Sequence, residues 1–217
     1  MTQEFKAYQY GPASGGEPKQ IVLLLHGLGA NGQDLIGLAP EFADTLPDAM
    51  FISPDAPFPC DMAPMGYQWF SLQSRDPEDM LKGIKIAQPM LEEFISSILK
   101  EYNLPADKLA LLGFSQGTMM SLYVGPRYKD KLAGIMGYSG ALIWEDDVQV
   151  EELTKLPVEL VHGDSDDVVP VTAYHHAREV LEKGGFSVSG TVVPGLSHGI
   201  DYTGIAAGKE FLSRVLL

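Results

Sequence analysis

The 217-residue sequence has one cysteine, two tryptophans and 15 basic residues against 29 acidic ones. A lone cysteine, Cys60, excludes an internal disulfide framework and agrees with a reducing compartment. It sits in Pro57-Phe58-Pro59-Cys60-Asp61, where no histidine or cationic side chain stands beside it to form a thiolate, so it reads as an ordinary thiol. The shortage of positive charge leaves a formal net charge of -14, which repels phosphate backbones and anionic lipid surfaces and argues against a nucleic-acid partner. No apolar run is long enough to span a bilayer, and Met1-Thr2-Gln3-Glu4-Phe5-Lys6 has neither a basic n-region nor an apolar h-region. A cytoplasmic protein without integral membrane association is therefore expected. Internal repeats and low-complexity tracts are also missing.

What is present is ordinary globular material, 45% hydrophobic and 20% charged, and the length fits one domain over 1–217. The chain alternates strand and helix. Continuous apolar runs predict buried central strands at 20–25 and 109–112, and further strands are expected at 50–53, 132–138, 157–161 and 187–193. A first strand is expected at 4–10, joined to the second by a Gly/Pro/Ser-rich hairpin loop. Helices are expected at 33–45, bent or shortened by Pro40, and at 78–102, where Pro89 puts a kink between two segments. Further helices are expected at 118–124, 170–183 and 202–216. The long stretch 54–76 reads as an aromatic and Met-rich loop. This order predicts a mainly parallel sheet with helices on both faces and chemistry at the carboxyl ends of the strands.

One such end is Gly113-Phe114-Ser115-Gln116-Gly117. A G-x-S-x-G turn between a strand and a helix is the pattern of a nucleophile elbow, its glycines removing side chains where the backbone doubles back. Three other strand ends carry polar residues: His26-Gly27, then His162-Gly163-Asp164-Ser165-Asp166-Asp167, then Ser197-His198-Gly199. Of the five histidines, His198 is the best base for Ser115, because its glycine-flanked loop after the final strand leaves room to turn toward the elbow. His175 and His176 read as solvated helix residues, and His26 and His162 as ties between loops. Asp164, Asp166 and Asp167 are all candidates to orient His198. A calcium loop is excluded, since Val168 falls where a third carboxylate is needed, and no metal or cofactor is called for.

The order serine, aspartate, histidine is that of the α/β-hydrolases. The stretches Leu25-His26-Gly27-Leu28-Gly29, Gly113-Phe114-Ser115-Gln116-Gly117, His162 through Pro170 and Gly195-Leu196-Ser197-His198-Gly199 together resemble the phospholipase/carboxylesterase family that includes the acyl-protein thioesterases. The resemblance implies that the triad carboxylate of the H-G-x-x-D-x-x-V-P pattern is Asp166, with Ser115 as nucleophile and His198 as base. It also implies backbone N–H donors at Leu28 and Gln116 for the oxyanion. Two positions depart from the family: Thr118 stands where G-F-S-Q-G-G has its last glycine, and Ser71 stands where W-[FY]-D has its aspartate.

The resulting expectation is a cofactor-free serine carboxylesterase of α/β-hydrolase fold without a large cap domain, acting on a small ester or thioester of short to medium chain. Lysophospholipase, acyl-protein thioesterase and perhydrolase activity would use the same groups, and a non-catalytic ligand-binding protein of the same fold is the alternative from another class. Met65, Trp69 and Phe70, with Leu28, Val168 and Ile200, are expected to form an apolar acyl site, although core packing accounts for the same residues equally well. A homodimer is compatible with this reading.

Overall fold

The computed structural model describes residues 5–217. Seven strands form the central sheet: β1 (Ala7–Tyr10), β2 (Gln20–Leu25), β3 (Ala49–Pro54), β6 (Leu109–Phe114), β7 (Gly134–Tyr138), β8 (Val158–Gly163) and β9 (Val188–Val193). Two short strands outside it, β4 (Phe58–Pro59) and β5 (Tyr67–Gln68), pair with each other within the long 54–76 stretch. The sheet order is β1-β3-β2-β6-β7-β8-β9, parallel throughout except at β1. Every residue of β2, β3, β7 and β8 is buried, as strands covered on both faces require, including Glu159 and His162 in β8.

Alternation along the strands divides the core in two. Ile21, Leu23, Leu25, Leu109 and Leu111 face α3 (Pro77–Glu101), α4 (Gln116–Val124) and α5 (Thr172–Lys183). Val22, Leu24, Ala110 and Leu112 face α1 (Gly32–Ile36), α2 (Ala39–Ala43) and α6 (Tyr202–Leu216). The chain leaves β2 for β3 on one side and later returns to β6 on the other, so the strand order reverses between β2 and β6. Crevices at the carboxyl ends of such a reversal are where open α/β sheets bind ligands.

Three expectations change. The segment before β2 is not its hairpin partner: β1 pairs antiparallel with β3, from Ala7 opposite Pro54 to Tyr10 opposite Phe51. Both edges of β2 are already taken by the parallel strands β3 and β6, so the half-exposed β1 is left the sheet edge. Part of the expected first strand, Glu4, lies outside the described residues, as do the first four positions of the Met1–Lys6 segment. The expected helix over 33–45 is two short helices, with Gly37 closing α1 and Pro40 in the first turn of α2. Conversely, α3 runs without interruption for 25 residues with Pro89 inside it. Its buried stripe of Ile84, Ala87, Leu91, Ile95 and Ile98 continues past the proline, and packing of that stripe holds the helix through the missing N–H.

Candidate active site

Ser115 follows the last residue of β6 and caps α4, with φ of 54° and ψ of -114°. This is a backbone conformation rarely adopted by residues with a side chain, and at functional sites such strain is held by the surroundings. Here the N–H of Ser115 donates to the Tyr138 carbonyl on β7 at 2.9 Å, and its own carbonyl accepts from Thr118 and Met119. The flanking glycines are steric requirements. A Cβ on Gly113 would lie 2.4 Å from the Thr118 nitrogen, and one on Gly117 would lie 1.8 Å from the Leu25 oxygen. The elbow thus exists because α4 starts in contact with β2 and with its own strand.

The loop after β2 is pinned on several sides. His26 is fully buried; its Nε2 accepts from Ala56 N–H at 2.9 Å and its Nδ1–H donates to the Gly27 carbonyl at 2.7 Å. Burial lowers its pKa, an effect the Gly27 hydrogen bond only partly offsets. The ring is therefore a neutral tie, as expected from its position. Gly29 N–H donates to the Tyr67 carbonyl, and Trp69 Nε1–H donates to the His26 carbonyl at 3.1 Å. Gln116 completes the frame: its side-chain oxygen accepts from Trp69 N–H and its amide nitrogen donates to the Phe70 carbonyl, both at 2.8 Å. These bonds tie the 26–29 loop, the 67–70 segment and the start of α4 together, with Gly27 against Ser115.

Of the three candidate carboxylates, Asp166 meets His198. Its Oδ2 accepts from His198 Nδ1–H at 2.8 Å, and its Oδ1 accepts from the N–H groups of Val168 and Val169 at 2.9 and 2.8 Å. Burial pushes the Asp166 carboxyl up, but the His198 hydrogen bond and the two amides outweigh it, and the carboxyl is held below its usual value. His162 lies against the same group, its Nε2 2.7 Å from the Val169 carbonyl and 3.4 Å from Asp166 Oδ2. Asp164 braces the backbone instead. Its Oδ1 accepts from Gly195 N–H at 2.7 Å, tying the turn after β8 to the loop that carries His198. Asp167 is exposed, as are His175 and His176 on α5.

Ser115 and His198 line one cleft of about 370 Å³. Its walls are mainly apolar, including Leu28, Met80, Met119, Val168, Val169 and Pro170. The structure corrects the expected acyl site. Leu28 and Val168 line the cleft, but Trp69 and Phe70 are in the core at 0% and 2% exposure and support it from behind. Trp69 packs against Phe5 and the His26 ring, and Phe70 sits against α3 so closely that a Cβ on Gly83 would lie 2.6 Å from it. Met65 is exposed and lines neither this cleft nor its neighbour; Met62, from the same loop, lines it instead. Ile200 lines an adjoining hollow of about 330 Å³ with His26, Leu35 and Leu38, on the other side of Phe114. The ring of Phe114 stands between the two, its centroid 5.0 Å from that of His198. Nothing in the sequence singles out Met80, Met119 and Ala173 for this cleft, because each reads as an ordinary buried position of an amphipathic helix.

Among the described residues, no group of three or more histidine, cysteine, aspartate or glutamate side chains is arranged to hold a metal ion, and no helix is long and apolar enough to cross a membrane.

Known proteins resemble the chain over nearly its whole length. Residues 12–216 match the family model described as Phospholipase/Carboxylesterase. The chain is 29% identical over 212 residues to acyl-protein thioesterase 1 of Neurospora crassa, covering 90% of this chain and 86% of that one. It is 28% identical over 186 residues to esterase YpfH of Escherichia coli, covering 84% and 77%. Among solved structures, esterase PE8 superposes with a TM-score of 0.92 at 36% identity, covering 98% of this chain and all of that one. Zea mays acyl-protein thioesterase 2 gives 0.78 at 25% identity, covering 98% and 99%. With the fold and nearly the full length matched, the chain belongs to the phospholipase/carboxylesterase family of α/β-hydrolases.

Proposed function

We propose that the protein is a serine hydrolase of small carboxylic esters and thioesters, with Ser115, His198 and Asp166 as its triad. The observation that carries this reading is the 2.8 Å bond from His198 Nδ1–H to Asp166 Oδ2, made by a histidine whose ring lines the same cleft as the elbow serine. That bond fixes the tautomer and leaves Nε2 for the serine proton. Ser115 Oγ attacks the carbonyl carbon as His198 takes its proton. The tetrahedral oxyanion is held by the N–H groups of Leu28 and Gln116; the latter is in the first turn of α4 and has no intrahelical acceptor. Collapse breaks the bond to the leaving alcohol or thiol, which receives the proton from His198. Water activated by the same imidazole then attacks the acyl-enzyme, releases the acid and restores Ser115.

A cleft of about 370 Å³ is near the lower end of ligand-pocket sizes, which supports acyl groups of short to medium length. Thioester cleavage is favoured as a second use of the same groups by the thioesterase relatives. We read 1–217 as one domain, acting in the cytoplasm on a small molecule, and a homodimer remains compatible with this reading. The test is turnover of matched p-nitrophenyl butyrate, lysophospholipid and acyl-thioester substrates by wild type and Ser115→Ala. Loss of every activity in a folded Ser115→Ala supports the mechanism, and the panel ranks the substrates. Near-normal turnover by that variant contradicts it.

A further inference from the structure

The cleft wall contains one charged side chain that the proposed chemistry does not use. Arg75 lies in the loop before α3 and lines the cleft beside Leu72, Met62 and Met80. In a chain with 29 acidic and 15 basic residues, this cleft contains no acidic side chain among its lining residues, and Arg75 is its only permanent cation. Among the described residues Arg75 has neither an ion pair nor a hydrogen-bonded partner. Of the acids near it in sequence, Asp76 caps α3 by accepting from Glu78 N–H at 2.9 Å, Asp79 pairs with Lys82 at 2.9 Å and accepts from Ser74 Oγ, and Glu78, like them, makes no ion pair with Arg75.

We propose that Arg75 anchors an anionic group, a carboxylate or a phosphate, carried by the substrate apart from its scissile carbonyl. This rests on the hydrolase reading above. An exposed arginine with no internal carboxylate keeps its five donors for an incoming ligand, and its planar fork matches a carboxylate or phosphate with two parallel bonds. The mainly apolar lining that Arg75 and Ser115 share suits the hydrocarbon separating the two polar ends. The preferred substrate is thus amphipathic in a defined sense, with a neutral ester or thioester at Ser115 and an anion at Arg75. The anion sits either at the far end of the acyl chain or on the leaving group.

Two substrate pairs distinguish these sources. On the acyl side, p-nitrophenyl hydrogen glutarate is compared with p-nitrophenyl valerate, in which a methyl replaces the carboxylate. On the leaving-group side, 4-(butyryloxy)benzoate is compared with phenyl butyrate. The readout is the ratio of kcat/KM for the anionic member to that for the neutral one, so a general loss of activity or fold cancels. In Arg75→Gln the ratio is expected to fall about tenfold in at least one pair. Arg75→Lys should restore part of it, Arg75→Glu should lower it further, and added salt should weaken the wild-type preference. A fall in the first pair alone places the anion on the acyl chain; a fall in the second alone places it on the leaving group. Ratios unchanged in both pairs, with both esters still hydrolysed, overturn the role of Arg75 and leave the hydrolase reading standing. If wild type hydrolyses none of the four esters, the hydrolase reading fails and takes this proposal with it.

Discussion

Gln116 and Trp69, 47 positions apart in sequence, are joined by a buried 2.8 Å hydrogen bond from the Trp69 N–H to the Gln116 side-chain oxygen. The other end of the same amide donates to the Phe70 carbonyl. The glutamine of the elbow therefore holds the 69–70 backbone, and that backbone, through Trp69 Nε1–H, holds the His26 carbonyl one residue from Gly27.

Gln116→Ala should cost about 2 kcal/mol of stability, because it leaves a buried donor and a buried acceptor without partners. It should also lower kcat more than it raises KM, since the backbone N–H groups of Leu28 and Gln116 lose their support while the cleft walls remain. Chemical denaturation and steady-state kinetics on p-nitrophenyl butyrate measure both. A variant with wild-type stability and kcat would contradict this role.

Asp166→Asn and Asp167→Asn form a matched pair. The first should fold and lose activity by a factor on the order of 10⁴ in kcat, as expected when the group that fixes a catalytic imidazole becomes neutral. The second removes an exposed carboxylate and should remain within about twofold of wild type. A loss confined to Asp167→Asn would reverse the assignment.

Thr118 ties α4 to β7. Its Oγ1–H donates to the Tyr138 carbonyl at 2.8 Å and its Oγ1 accepts from Tyr138 N–H at 3.0 Å. Gly140 faces it, and a Cβ there would lie 2.3 Å from the Thr118 Cβ. Gly140→Ala alone should therefore destabilise by about 1–3 kcal/mol. The same change in a Thr118→Gly background should cost markedly less, and the coupling is read from the thermal midpoints of the four proteins. Strict additivity would show that the two positions do not share this space.

Two buried or half-buried groups away from the nucleophile, His26 and Glu145, contribute to the acid response. Burial lowers the His26 pKa below the usual 6.5, so below that pH the unfolded chain binds more protons than the folded one. Its contribution is full above pH 6.5 and declines as the pH falls. Glu145 behaves likewise at lower pH: burial pushes its carboxyl up, but the Tyr123 hydroxyl, Lys85 and Arg127 outweigh this and hold it at about 2 instead of 4.5. That contribution is full above 4.5 and is lost as the pH falls toward 2. Unfolding midpoints at pH 7.5, 5.5 and 4 should fall in that order. Glu145→Gln should lose about 1–2 kcal/mol at neutral pH and show a flatter acid limb. A Glu145→Gln variant whose midpoint falls as steeply as that of wild type between pH 5.5 and 4 would contradict the Glu145 sign.

The loops that carry Ser115 and Asp166 are legible in the sequence because each follows a buried strand and opens with glycine and polar residues at one rim of the sheet, and the His198 loop is legible from its flanking glycines after the half-buried last strand. The neutral, structural character of His26 is legible for the same reason. Asp166 among its neighbours is legible only through the family resemblance, since Asp164, Asp166 and Asp167 otherwise differ only in what they meet across space: Gly195 N–H, His198 and solvent. Trp69 and Phe70 are misleading because a loop rich in aromatics reads alike whether its rings face a cleft or a core. Gly83 and Phe5, far away in sequence, decide that they face the core. The edge position of β1 is equally hidden, because pairing depends on which edges of β2 later strands occupy.

The central claim is that Ser115 is an activated nucleophile, and active-site labelling tests it most directly. Wild type treated with an alkyl fluorophosphonate at neutral pH and weighed intact should gain one phosphonyl adduct, mapped by peptide sequencing to Ser115. Ser115→Ala should gain none, and Asp166→Asn should label far more slowly. A folded wild-type protein that stays unlabelled, or an adduct that persists in Ser115→Ala, would contradict the account.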